Sequence, residues 1–425
     1  MKILIKDGNV YYNKKFVKKD IYIVDNVIKK VEKKIEVNAN KVIDAKGMFI
    51  MPGFIDLHCH LREPGQTQKE DIVSGTKAAA KGGFTTICAM PNTDPVIDNI
   101  ASVEFVQRKA KDIGFCKVKV IGASSKKLEG KEISEIATMK EGGIVAVSDD
   151  GGCVQNSKLQ LNIMKYAANF SLPIIVHAED YNLSSKGQVH GGKIATRLGL
   201  TGIPAVAEDI IIVRDLMLAE LTNCQLHIAH LSTATSVKLI RDAKASGAKV
   251  TSEVTPHHLL FNEDCLQTFD TNYKCKPPIR SEKDRTELLQ GLKDGTIDFI
   301  ATDHAPHADY EKEKEFDYAP FGINGFETAF ASLYTELVLN KIITLELLIE
   351  KMSVAPAKWL KLNAGEIKPG KLADIVIADL NGEVSFTREN IFSKSKNTPY
   401  INQTLQGAIK YTICEGKITY TAAND

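Results

Sequence analysis

Between residues 53 and 310 short apolar runs recur, and each closes on polar or ionisable residues. Eight can be counted: FIDLHCH, FTTICAMPN, VKVIGASS, GIVAVSDD, LPIIVHAED, QLHIAHLS, KVTSEVTPHH and IDFIATDHAPH. Helix-like stretches separate most of them, such as QKEDIVSGTKAAAKGG after the first, SKLQLNIMKYAANF after the fourth and TSVKLIRDAKASG after the sixth, with glycine at several ends. Buried strands alternating with helices predict parallel βα units. Eight of them are the number that closes a (β/α)8 barrel of the TIM type.

The two ends of the chain have another texture. Residues 1–50 hold short strand-like runs, KILIKDGNVYY, KKDIYIVDNVIKKVEKKIEV and KVIDAKGMFI, with DG and AKG as turn signals. The same pattern returns in GKLADIVIADL and GAIKYTICEGKITY. Because chain termini often lie close together, these ends are expected to pair into a small β-sandwich. The expected division is α/β: residues 1–50 with 366–425 as the sandwich, and 51–365 as the barrel.

Composition narrows the setting. At 425 residues, 44% hydrophobic and 25% charged, the chain can bury one large core with a smaller companion, which excludes collagen-like, disordered and small disulfide-framework classes. A formal net charge of +1 gives no long-range field for nucleic acid or a membrane surface, so a bound anion is expected to be small. The start, MKILIKDGNVYYNKKF, lacks the apolar core of a signal peptide, and no stretch is long enough to span a bilayer. A cytoplasmic protein is the expectation. Eight cysteines without paired spacing fit reduced, buried thiols.

Candidate chemistry gathers where the apolar runs turn polar. In a barrel the carboxyl ends of the strands share one rim, and active sites sit there. Period-two alternation places Phe54, Asp56, His58 and His60 on one face of the first strand, with Cys59 pointing away. The fourth strand ends in Asp149 and Asp150, the fifth in His177, the sixth in His230 and the eighth in Asp303. Imidazoles and carboxylates without thiolate suit one or two divalent ions, zinc first. Such ions depress the pKa of water and polarise a carbonyl, which makes hydrolysis the natural reaction. Asp303 is the candidate to accept the proton of water and return it to a leaving nitrogen.

These residues resemble the metal-dependent amidohydrolase superfamily over nearly the whole chain, with His58, His60, His177, His230 and Asp303 in the positions of its ligands. Taken together, DLHCHLREPG, AMPNTDP, VSDDG, IVHAED, IAHLS, EVTPHHL and ATDHAPH resemble the type I branch of the dihydroorotases. The resemblance implies reversible closure of N-carbamoyl-aspartate to dihydroorotate in pyrimidine biosynthesis. It makes Asp150 the ligand shared between two ions, with Asp149 as the alternative, where hydantoinases carry a carbamylated lysine. It implies a substrate site of His60, Arg62, Asn92, His307, Phe321 and Gly322. Arg62 can hold a carboxylate by two parallel hydrogen bonds, a group that dihydroorotate has and that hydantoin and allantoin lack. Lys276, in YKCKPPIR, stands where relatives commonly have asparagine, and it is kept as a contact. The resemblance leaves open a homodimer, association with aspartate transcarbamoylase, a hydantoinase or allantoinase activity, and a non-catalytic partner role.

Blander readings stand beside these. Arg62 could pair with Glu63, and Asn92, after a proline, could close a turn. His257 and His258 read as buried supporting residues rather than ligands. Residues 307–325 form a long charged connection, expected to act as a lid over the barrel mouth.

Overall fold

The structure, a computed structural model, describes residues 1–422. Its centre is a ring of eight parallel strands: Phe54–Cys59, Phe84–Ala89, Lys117–Ala123, Ala146–Ser148, Ile174–Val176, Leu226–Ile228, Val250–Val254 and Phe299–Ile300. Neighbours in this order are hydrogen-bonded, and a parallel bridge between Cys59 and His304 closes the first strand onto the chain just past the eighth. All eight apolar runs read from the sequence therefore become barrel strands. Four have only two or three residues in ladder geometry, so their polar ends lie free of the sheet on the rim.

The helices between the strands start behind polar N-caps, the first of them four residues into QKEDIVSGTKAAAKGG. Asp71 accepts from the amide of Ser74 ahead of Ile72–Lys81, Asn156 from Lys158 and Leu159 ahead of Ser157–Asn169, and Thr233 from Ser236 ahead of Ala234–Ala245. Each cap satisfies an amide that has no partner within the helix. Val120, Val147, Ile174, Leu226, Ile228 and Ile300 face these helices in the largest core cluster. Ile55, Leu57, Ile121, Ala146, Ile175, Ala229, Phe299 and Ala301 form a second cluster to which several of the strands contribute, and it fills the interior. The barrel is thus a packed core rather than a pore.

Both chain ends form a separate eight-stranded sheet. Lys2–Tyr12, Lys15–Val24, Val27–Glu32, Lys41–Asp44 and Phe49–Pro52 join Ile375–Phe386, Gln403–Cys414 and Lys417–Thr421, with the junction at Phe49–Pro52 against Ile375–Ala378. The sheet curls over one aliphatic core that includes Ile3, Ile5, Ile21, Ile23, Ile50, Ile375 and Ile377, all inaccessible to solvent. Backbone bonds from Ile28 to Lys371 and from Ala373 to Asn26 tie its two halves together. No helix among the described residues is long and apolar enough to cross a membrane.

Candidate active site at the barrel rim

The first strand carries two ligand candidates by breaking the regular pleat. Alternation from the sequence placed Phe54 and Asp56 on the same face as His58, and the structure corrects this. Phe54 packs against Phe84 and Phe330 on the helix side, while Ile55 and Leu57 face the interior. The pairing register then shifts between Asp56 and Cys59, and this irregularity turns His58 and His60 inward. Bulges of this kind re-aim side chains near active sites. The Asp56 carboxylate accepts from Thr302 N at 2.8 Å and Thr302 Oγ1 at 2.6 Å, fixing the first strand to the eighth just before Asp303. Arg62, His230 and Asp303 have positive φ values of 58°, 32° and 46°. Non-glycine residues seldom adopt that region, and where they do the surroundings hold them there.

Six side chains from five strand ends converge, all at most 7% exposed. Asp303 Oδ1 lies 3.1 Å from His60 Nε2 and 3.6 Å from His58 Nε2. Asp150 stands between two halves of the cluster: its Oδ2 is 3.4 Å from His58 Nε2 and 3.5 Å from His60 Nε2, while its Oδ1 is 3.6 Å from His230 Nε2 and 3.7 Å from His177 Nδ1. The His177 and His230 rings meet at 2.9 Å. The groups His58, His60, Asp303 and His58, Asp150, His230 each present ligand atoms within 4.8 Å of one another. Buried polar atoms normally find a partner, yet His58 Nε2 and Asp150 Oδ1, both at the centre, have no hydrogen bond. Such unsatisfied atoms on converging imidazoles and carboxylates fit divalent cations.

Asp149 does not join them. Its carboxylate accepts from the amides of Ser124 and Ser125 at 2.9 and 2.8 Å and from Ser125 Oγ at 2.5 Å, which turns it toward the neighbouring strand end. Two further carboxylates orient the histidines from behind. Glu253 Oε1 is 2.8 Å from His58 Nδ1 and Glu179 Oε2 is 3.3 Å from His177 Nε2, so the opposite ring nitrogen of each histidine faces the cluster. Burial alone would pull these histidines down. Asp150, Glu253 and Asp303 instead hold His58 well above its usual range, and Asp150 with Glu179 lifts His177 to about 9. Burial pushes Asp303 upward, but the hydrogen bond from His60 and the charge of His58 hold it well below the usual carboxylate range. The cluster is built to attract positive charge.

A cavity of about 320 Å³ opens above it, within the size range of small-ligand sites. Of the twelve residues nominated from sequence, eleven line it, and His58 alone lies beneath. Arg62 donates from Nε to Pro306 O at 3.1 Å and lies 3.4 Å from His307 Nε2. It has no carboxylate within 4.0 Å among the described residues, while Glu63 pairs with Lys109 and accepts from the Ile72 amide. The structural pairing of Arg62 with Glu63 is therefore excluded. Burial, with Arg62, Lys69 and Lys312 nearby, pulls His307 down to about 2, so its ring is neutral and bonds Phe321 O at 2.8 Å. Asn92 meets His60 Nδ1 through its carbonyl oxygen at 2.8 Å, which leaves its amide nitrogen toward Gly151. At Gly322, φ is 151° and a Cβ would meet Ala305 O at 2.6 Å, so only glycine lets this backbone approach the cavity. The segment carrying it is pinned by buried ammonium groups. Lys274 donates to Phe316 O at 2.5 Å, and Lys312 to Pro320 O at 3.0 Å and Gly322 O at 3.1 Å.

Comparison with known proteins gives the family. The family model described as dihydro-orotase-like matches residues 47–236. A dihydroorotase of Ruminiclostridium cellulolyticum is 49% identical over 98% of this chain and 98% of its own length, and one of Caldanaerobacter subterraneus subsp. tengcongensis is 47% identical over 99% and 97%. The chain belongs to the dihydroorotase family. Among solved structures, the L-hydantoinase (dihydropyrimidinase) of Arthrobacter aurescens superposes with a TM-score of 0.88 at 25% identity, covering 98% of this chain and 95% of that one. The dihydropyrimidinase of Brevibacillus agri does so at 0.86 and 23% identity, over 98% and 95%, a likeness of fold.

Within this family setting, sequence reasoning missed the supporting carboxylates. Both left a signal: Glu253 is a charged residue within a run, KVTSEV, that reads as a buried strand, and Glu179 follows His177 by two residues in HAED. Lys276 lines the cavity, but its ammonium lies 2.9 Å from Glu179 Oε2. His257 and His258 are buried, as read. Both ring nitrogens of His258 are engaged by Thr255 and Pro277, which removes it as a ligand despite its closeness to Cys275.

Proposed function

We propose that this chain interconverts dihydroorotate and N-carbamoyl-aspartate, with His58, His60, Asp150, His177, His230 and Asp303 holding one or two zinc ions. The observation that carries the reading is Arg62: a buried guanidinium without a carboxylate partner, sharing one small cavity with Asp303. A buried cation of this kind calls for an anion from outside. When bound, zinc lowers the pKa of water and polarises the carbonyl under attack.

The chain's own residues do the rest. Arg62 and Asn92 take the substrate carboxylate, neutral His307 lines the cavity beside Arg62, and the backbone at Phe321 and Gly322 meets the ring edge. This places the ring amide over Asp303, whose carboxylate accepts the proton of the attacking water and delivers it to the ring nitrogen as the C–N bond breaks. The carbonyl carbon keeps the hydroxyl, and the carboxylic acid so formed releases its proton to solvent. Closure runs through the same groups in reverse. Pro320, Phe321 and Gly322 line the same cavity as Asp150 and Asp303. The eight cysteines are free and seven are buried, which supports a reducing, cytoplasmic setting.

A hydantoinase or allantoinase reading is disfavoured by Arg62 and by aspartate at the fourth strand end, and a non-catalytic role by the full ligand set. The test offers dihydroorotate, hydantoin and allantoin to the zinc-loaded protein. Ring opening confined to the acid, and lost in Arg62→Met, supports the proposal. Equal rates on the neutral rings would overturn it.

A further inference from the structure

We propose that Lys276, acting through Glu179, weakens the His177–His230 half of the cluster for its ion, so that two divalent ions bind with unequal affinity. This rests on the metal reading above and concerns the chain's departure at position 276. The contacts form a line. Glu179 Oε2 lies 2.9 Å from Lys276 Nζ and 3.3 Å from His177 Nε2, and His177 Nδ1 lies 3.7 Å from Asp150 Oδ1. Glu179 Oε1 is buried without a hydrogen-bond partner, so an ammonium and an imidazole share one oxygen.

The other half is supported differently. Glu253 gives one oxygen to His58 Nδ1 at 2.8 Å and the other to His227 Nε2 at 3.1 Å, with no lysine or arginine within 4.0 Å among the described residues. A carboxylate behind a ligating histidine strengthens it as a donor. An ammonium on the same oxygen draws that charge away and adds a positive charge near a cation site. Lys276 is thus a positioning residue for the second ion. Its side chain is 32% exposed, so replacing it leaves no buried hole.

Metal-free full-length protein titrated with zinc by calorimetry, with total metal measured by mass spectrometry, tests this. Two classes of site are expected. Lys276→Met and Lys276→Asn should tighten the weaker class by about tenfold and leave the tighter one unchanged, while Lys276→Arg preserves the gap. Glu179→Gln should weaken the weaker class by about tenfold or more, and adding Lys276→Met to it should change affinity by less than about twofold, because the two act as one unit. Equal affinities untouched by Lys276→Met overturn the inference while leaving the metal reading intact. Tightening of the same size in both backgrounds overturns the route through Glu179. Absence of zinc binding overturns both readings.

Discussion

The terminal sheet and the barrel rim are both built from apolar strands with register shifts, yet they use those shifts differently. In the sheet Ile3 and Ile5, Ile21 and Ile23, and Ile375 and Ile377 all reach one fully buried core, although the pairing register shifts after Ile5, between Tyr22 and Ile23 and after Ile377. Its buried acid Asp20 is satisfied by two backbone amides, of Asp7 and Ile35. At the rim the register shifts between Asp56 and Cys59, three residues hold positive φ, and central polar atoms lack partners. Where packing alone decides, an irregular strand need only return its apolar face to the core, so the pattern stays readable. Where side chains must converge on a point, the backbone leaves regular geometry and the surrounding fold keeps it there.

That contrast predicts which changes cost activity and which cost stability. The largest effect is expected at Asp303: Asp303→Asn should lower kcat by about 10³-fold with the melting temperature nearly unchanged, measured by ring-opening kinetics and thermal unfolding. A retained rate would remove Asp303 from proton transfer. Ile377→Ala, in the sheet, should do the reverse. It should cost about 3 kcal/mol in denaturant unfolding while kcat per folded molecule stays at the parent value. Arg62→Met should raise KM for the acid by about 50-fold with a smaller change in kcat, the signature of a binding contact.

The smallest effect concerns Lys312, whose burial lowers its pKa to about 7. An unfolded lysine binds its proton up to about pH 10, so between those values the unfolded chain holds more protons and stability should rise with pH. Lys312→Met should flatten that slope in urea titrations at pH 7 to 9, and an unchanged slope would show that Lys312 is not its source.

Much of this was legible before any coordinates. The eight strands followed from apolar runs ending in polar residues, and the six side chains that converge at the rim from the ends of those runs. Asp150 could not be separated from Asp149 by composition, because each is an aspartate at one strand end. The amides of Ser124 and Ser125, which only the folded chain brings near, take Asp149 away. The face of Phe54 was misread because a bulge leaves no mark in a six-residue apolar run. Residues 307–325 are expected to form a lid from length and charge; what the sequence does not show is that Lys274 and Lys312 bind carbonyls of this segment. Such bonds between a side chain and a distant backbone leave no periodic trace.

Distant strand ends are proposed to assemble a cation-dependent hydrolytic rim. The most direct measurement is the rate of dihydroorotate ring opening by metal-free protein as zinc is added. The account predicts no turnover without metal and a rise that saturates at one or two equivalents per chain. A rate already present in the metal-free protein, or zinc bound at the rim without any turnover, would contradict it.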